Sequence, residues 1–382
     1  MVHLLAAFAA TATLLAGITT AHPGHDAKLE ALQRRAYING VAPSKRSLSH
    51  CSQELKARGH DKRSNMRRQK MAQEYRQKRS LQSKPYLRVR DLDTVLDTDH
   101  QSNLTGISPW TPMDVLFTGE NSCLLNPEVT QGPYYVEGEY FRSDLVESEV
   151  GVPIYLDVQL VDMDTCEPVP NIYLETWHCN ATGVYSGIQA TTNGNYDDTS
   201  NLNKTFLRGI QKTDYEGAVK FETIVPGHYG GRANHIHVLS HTNAHLSANN
   251  TLRGTGGTVS HVGQLFFDQS LLTSVEASYP YSLNTIVWTQ NANDSILQEE
   301  AEGDMDPILE YVLLGDKVED GLVAWITLVF DQSANYTADV KSGTAAYFGA
   351  GGGVMNPDAG PPSGAPAVPD RRVRREEEGW WR

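Results

Sequence analysis

The stretch from Pro226 to Val238, PGHYGGRANHIHV, carries two histidines one residue apart in a run that reads as a strand. Residues i and i+2 of a strand share a face, so the imidazoles of His235 and His237 converge on one point, a geometry suited to a metal ion. With 13 histidines in the chain, a lone His-x-His is weak by itself. The alternative is a pair of hydrogen-bonded histidines on one sheet face. Tyr229 lies six residues before His235, and Tyr185 falls in the run WHCNATGVYSG. Taken alone, each of the 17 tyrosines reads as a packed aromatic with a satisfied hydroxyl.

These residues need rigid elements to hold them. From about Cys123 to Phe348 the pattern is short β runs separated by turn signals. Pro153–Met163, Asn171–His178, Gly217–Val225, Asn234–Ser240, Val262–Phe267 and Gly321–Phe330 alternate apolar and polar residues and are rich in β-branched and aromatic side chains. Period-two patterning of this kind predicts strands, and several of them predict a sandwich or barrel. Helical turns are expected at Gln269–Glu276 and near Asp294–Glu300. Residues 26–85 are dense in Ala, Leu, Gln, Glu, Lys and Arg, a helix-favouring composition. The fold class expected is mainly β, preceded by a basic helical arm.

Charge divides the chain in the same places. The whole carries 32 Lys+Arg and 46 Asp+Glu, but residues 22–90 alone hold 18 basic and 5 acidic side chains. Residues 91–369 hold 9 basic and 37 acidic ones, a balance that excludes nucleic acid as the partner of the main domain. The basic arm is expected to contact the acidic domain or a wall polyanion, or to be a pro-segment cut at dibasic pairs such as Lys62-Arg63 and Lys78-Arg79. Leu4 to Ile18 is an apolar run too short to span a bilayer, followed by small residues as at a signal-peptide cleavage site. With six Asn-x-Ser/Thr sequons, it predicts a secreted glycoprotein without a membrane anchor. In an oxidising compartment Cys51, Cys123, Cys166 and Cys179 read as disulfides, and of the three pairings Cys166–Cys179 with Cys51–Cys123 is favoured. The domains expected are a signal peptide at 1–21, the arm at 22–95, the β domain at 96–348 and a disordered Gly/Pro-rich tail at 349–382.

Taken together, Thr130–Tyr135 (TQGPYY), WHCNATGVYSG, FLRGIQKTD from Phe206 and the Ile224–His237 segment resemble the intradiol ring-cleavage dioxygenases, in particular their secreted fungal branch. The resemblance covers roughly residues 120–270. It implies a β-sandwich core with mixed strands and long loops. It also implies a mononuclear non-haem Fe(III) held by Tyr185, Tyr229, His235 and His237. Two phenolates and two neutral imidazoles around Fe(III) leave one positive charge, which a hydroxide neutralises. Tyrosine ionises near pH 10 on its own, so only a hard, highly charged cation would hold two of them as phenolates. The partners implied are a small aromatic diol, bound through both oxygens, and O2, with a homodimer left open. By position Tyr229 is the ligand that leaves for substrate and Tyr185 the one that stays. Arg232 matches the arginine that stabilises negative charge on the ring, and Gln264 a glutamine near the same position.

The chain also departs from the pattern. Ala233-Asn234 replaces a proline common in bacterial members, and Ser240–His261 reads as an insertion. The short Tyr229–His235 interval predicts a shallower, more open pocket for catechols with bulky substituents. Two other readings compete. One is a different secreted β metalloprotein, a cupin oxidase or a superoxide dismutase; a cupin would need a glutamate near position 241, where His241-Thr242 stands. The other is a non-catalytic wall- or carbohydrate-binding protein on the same scaffold.

Overall fold

The computed structural model describes residues 39–42, 48–81, 122–124 and 131–358, with short breaks at 191–192, 196, 253–256, 302–304 and 350. The expected signal peptide, most of the linker before 122, the Asn103 sequon and the tail beyond 358 lie outside the described residues. The strands are β1 (Ser122–Leu124), β2 (Val136–Glu137), β3 (Pro153–Asp162), β4 (Tyr173–Trp177), β5 (Arg208–Lys212) and β6 (Ala218–Ile224). They continue with β7 (His235–Thr242), β8 (Thr258–Phe266), β9 (Glu310–Leu313), β10 (Leu322–Phe330), β11 (Ala346–Gly349) and β12 (Gly352–Met355). The helices are α1 (Ser52–Ala57), α2 (His60–Lys78), α3 (Gln269–Glu276), α4 (Ser295–Glu300) and α5 (Thr337–Ser342).

Two sheets form the sandwich. In the first, β10 lies between β3, which it pairs in parallel, and a flank shared by parallel β1 and antiparallel β9, while β6 closes the far side of β3. The second is the antiparallel order β5-β4-β7-β8. Their inner faces meet in one core: Ile154, Leu156, Val158, Leu160, Phe221, Ala324 and Ile326 from the first sheet pack against Leu174, Ile236, Val238 and Leu265 from the second. Period-two alternation therefore sends the other half of each strand outward, and both outer faces are covered.

The first outer face lies beneath the arm. β3 alternates apolar and polar residues, yet every residue from Ile154 to Asp162 is buried. The reason is α2, whose Met71 and Ala72 pack against Tyr155, Val323 and Trp325. Asp157 receives a bidentate bond from Arg67 at 2.7 and 2.8 Å, and Gln159 accepts from Ser64 at 2.8 Å. At the helix end, Tyr75 and Lys78 both donate to Glu222. Arg67–Asp157 is a fork-to-carboxylate pair with a fully buried carboxylate, which Arg68 also approaches at 3.6 Å, a setting in which removing the forked partner is costly.

The disulfide differs from the favoured pairing. Cys51 bonds Cys166, with a Cα–Cα distance of 5.4 Å, and the Cys179 thiol is buried and donates to the Gly227 carbonyl. Cys166 and Cys179 lie beyond opposite ends of β4, and a five-residue strand separates its ends by roughly 17 Å, far beyond disulfide reach. The side chain of Cys123 lies outside the described residues. A second difference concerns the expected disordered tail, whose first residues form β12 against β11. Gly353 approaches the Leu202 backbone so closely that a Cβ would collide with its carbonyl oxygen. These glycines serve close packing as well as chain freedom.

Two outcomes follow from this arrangement. Non-reducing peptide mapping should recover a Cys51–Cys166 linked peptide, with Cys179 alkylated only after unfolding; a Cys51–Cys123 peptide would contradict the structure. Burial pushes the Asp157 carboxyl up, but the Arg67 charge and hydrogen bonds override it and hold the group below its ordinary value. Stability from this pair is therefore full above about pH 4 and is lost as pH falls through the depressed pKa. Arg67→Ala should lower unfolding free energy by about 3 kcal/mol at pH 7, read from the urea midpoint, with the deficit shrinking in acid. Equal stabilities at pH 7 would show that the pair contributes nothing net.

Candidate metal centre

β7 presents His235 and His237 on the outer face of the second sheet, as its alternation requires, while Ile236 and Val238 enter the core. The antiparallel register places Trp177 of β4 and Gln264 of β8 directly beside His237. Trp177 stacks on the His237 ring at 4.7 Å between centroids and 2° between planes. The His235 Nδ1–H donates to the Ala233 carbonyl at 2.7 Å. A carbonyl can only accept, so that nitrogen holds the proton and His235 Nε2 keeps its lone pair. His235 Nε2 and His237 Nε2 stand 3.1 Å apart. Two nitrogens each about 2.1 Å from one ion would be separated by roughly 3 Å when the angle at the ion is near 90°.

The two tyrosines arrive on loops. After β4, the Asn180 side chain closes a turn by accepting from the backbone of Thr182 and Val184, and Gly183 passes so near the His228 carbonyl that a side chain there would clash. Tyr185 follows, its backbone held by buried Asn193 on both its N–H and C=O and by Asn201 on its C=O. Tyr229 begins a tight turn closed by the Arg232 N–H on the Tyr229 carbonyl, with Gly231 at φ +80°, where glycine is at ease. The Tyr185 and Tyr229 rings meet edge to face at 5.5 Å, and Tyr229 lies 5.6 Å from His235.

The structure thus brings the four expected ligand residues together. Among the described residues neither buried phenol oxygen has a hydrogen bond of ordinary geometry, although the Arg232 guanidinium acts on the Tyr229 oxygen. A buried hydroxyl without a partner is costly, and a bound ion would satisfy both oxygens. Burial pushes the Tyr185 phenol far above its usual range, with Tyr229 adding to it. Burial likewise pushes Tyr229 up to about 12, while the Arg232 charge pulls the other way. The donor set of two oxygens and two imidazole nitrogens fits a hard trivalent ion such as Fe(III), whose charge would oppose the burial effect. The Cys179 thiol is engaged elsewhere, donating to the Gly227 carbonyl.

Arg232 and Gln264 also reach this place. Arg232 Nη2 donates to Gln264 Oε1 at 2.5 Å, and Arg232 forks onto Asp294 at 2.9 and 3.3 Å. Sequence reading missed Asp294. Its carboxylate also accepts from the Ala233 N–H and caps α4 through the N–H groups of Ile296 and Leu297. The acidic residue opening a helical turn was the available signal. Asn193 and Asn201 were also missed, and their types alone carry no such signal. Of Ser240–His261, read as an insertion, only the ends are paired, Ser240–Thr242 with Thr258–His261 in the β7–β8 hairpin, with a bulge at Ser240/His241. The expected open pocket is not present either: all six site side chains are at most 4% exposed. Segment 284–288 closes over the short loop, with His228 donating to the Ile286 carbonyl and Trp288 to Asn234.

Arg232→Ala should therefore act on the fold as well as on any reaction. It leaves the Asp294 carboxylate buried without its cation, an expected loss of about 3–5 kcal/mol in urea unfolding. Adding Asp294→Asn should recover part of that loss, because Asn still caps α4. A single Ala variant as stable as the parent would show that the ion pair is dispensable.

The family profile described as "Dioxygenase" matches residues 130–279. Catechol 1,2-dioxygenase of Acinetobacter baylyi is 29% identical over 127 residues, which cover 31% of this chain and 38% of that protein. Catechol 1,2-dioxygenase 1 of Acinetobacter lwoffii is 29% identical over 109 residues, 32% of its length. The chain thus spans about a third of the length of the curated relatives it matches. The solved intradiol ring-cleavage dioxygenase of Tetranychus urticae is 30% identical, with 56% of this chain covering 98% of that one at a TM-score of 0.45. On the profile match, and on sequence identity sustained along almost the whole mite protein, this chain belongs to the intradiol ring-cleavage dioxygenases.

Proposed function

We propose that the chain is an Fe(III)-dependent intradiol dioxygenase that opens catechol-type rings between the two hydroxyl-bearing carbons with O2. One observation carries the reading: two buried phenol rings converge on an imidazole pair whose nitrogens stand 3.1 Å apart. Tyr185, Tyr229, His235 and His237 would hold the ion. When bound, the ion supplies a Lewis-acidic centre that activates an ortho-diol toward O2.

The chain's own residues would do the rest. Tyr229 Oη is the atom placed to take a proton from a substrate hydroxyl, because its loop is anchored beside Arg232 rather than within the sheet. Tyr185, clamped by Asn193 and Asn201, is the fixed phenol. Arg232, made rigid by Asp294 and Gln264, offers fixed positive charge where a ring becomes electron-rich. Near-complete burial of all six excludes water and strengthens that charge.

Export is part of the proposal. It is supported by the Leu4–Ile18 run, the sequons and a Cys51–Cys166 disulfide suited to an oxidising compartment. No helix among the described residues is long and apolar enough to cross a membrane.

The test is metal analysis with a visible spectrum. The purified chain should hold one iron per chain and absorb broadly, and Tyr185→Phe should bleach most of the band and release iron. With catechol and ¹⁸O₂, the ring-opened diacid should carry one labelled atom in each carboxyl. Copper, zinc or manganese in place of iron, or product labelled in only one position, would overturn the assignment.

A further inference from the structure

The FLRGIQKTD segment contains a residue the chemistry above does not use. Arg208, the first residue of β5, is fully buried beneath the second sheet's outer face, opposite Trp177 in the register. Its Nε donates to the Ser186 carbonyl at 3.0 Å and to Ser186 Oγ at 3.1 Å. Its Nη2 donates to the Ser186 carbonyl and to the Tyr134 carbonyl, both at 2.8 Å. Ser186 follows Tyr185 directly, and the Tyr134 ring packs on Tyr185 with centroids 4.6 Å apart. One guanidinium therefore ties together the backbone on either side of the Tyr185 ring. The guanidinium carbon itself lies 5.9 Å from the centre of that ring.

A buried cation needs a strong reason, because its desolvation costs several kcal/mol. Glu139 supplies only part of one: its nearest oxygen is 3.5 Å from Arg208 Nη1, and its other oxygen is buried without a hydrogen bond. The Ser186 carbonyl and hydroxyl and the Tyr134 carbonyl supply the remainder.

We propose that Arg208 is the positioning residue for Tyr185. It fixes the loop that carries the tyrosine and sets positive charge near its ring, so that the oxygen would reach the iron in one orientation. This rests on the iron reading above. The two effects are separable, because lysine keeps the charge and loses the fork, whereas methionine loses both. Positive charge near a phenolate stabilises its electrons, so removing that charge should lower the energy of phenolate-to-iron charge transfer.

The experiment uses the full iron-loaded chain and its metal-free form, each as wild type, Arg208→Met and Arg208→Lys. Dialysis against a chelator should strip iron from the Met variant roughly 10- to 100-fold faster, the range found for groups that orient metal ligands. Its visible band should move to longer wavelength. The Lys variant should keep the band position and lose iron at an intermediate rate. In the metal-free chain, amide hydrogen exchange over residues 182–190 should quicken in the Met variant. Since methionine leaves Glu139 without its cation, Arg208→Met with Glu139→Gln serves if the single variant does not fold. Unchanged exchange and iron retention in the Met variant would overturn the proposal, as would equal loss in Met and Lys with no band shift. A wild-type chain without iron or visible band would sink the iron reading instead, and the exchange measurement would still decide the loop role.

Discussion

Every strand has two faces, and this chain buries both faces of both sheets. One side of each sheet meets the other in the common core. The first sheet's far face is covered by α2 and the second's by the layer containing Tyr134, Tyr185, Tyr229 and α5. Polar residues that these layers bury need a partner from the covering layer, and Glu222 at the rim, 25% exposed, is paired as well. That requirement explains why Asp157 meets Arg67, why Glu222 meets Tyr75 and Lys78, and why the outward histidines of β7 meet tyrosines. The arm is thus a structural layer of the domain, and the Cys51–Cys166 bond ties it to the turn after β3.

On the second sheet the covering layer is built from loops, and buried side chains replace the hydrogen bonds that strands would have supplied. Asn193 and Asn201 hold the Tyr185 backbone, Asn234 holds the Pro226 carbonyl, and Asp294 holds Ala233 together with Arg232. Each of these uses a side chain as a second backbone, which lets an irregular segment be rigid without forming a sheet. Rigid loops are what a metal site needs, since ligand oxygens held loosely would lose much of their affinity to ordering. Glycines sit where loops approach one another, as at Gly183 against His228.

The electrostatics follow from the same closure. Two of the acidic domain's cations point inward: Arg208 and Arg232 are both fully buried beside the tyrosines, and each carries an acidic partner. Burial alone would keep both phenols protonated, and the Arg232 charge acts against burial at both. Closing the site makes each of those charges count for more.

The amino-acid sequence by itself determined the strands and the chemistry within each segment. Alternation is a property of neighbours along the chain, so β3, β4, β6, β7, β8 and β10 appear within a few residues of their periodic runs. The convergence of His235 and His237 is likewise local, since one strand supplies both. β5 and β9 are short, with too few residues for alternation to stand out, and they were not read. Tertiary structure alone decided the pairings between distant segments. Cys51 meets Cys166 across 115 residues because α1 and α2 lie over β3, which no spacing rule encodes. Asp294 meets Arg232, and Asn193 meets Tyr185, because loops from different elements close over one sheet face. Periodicity records which way a side chain points, but what it meets there depends on chain crossings that only the folded molecule fixes.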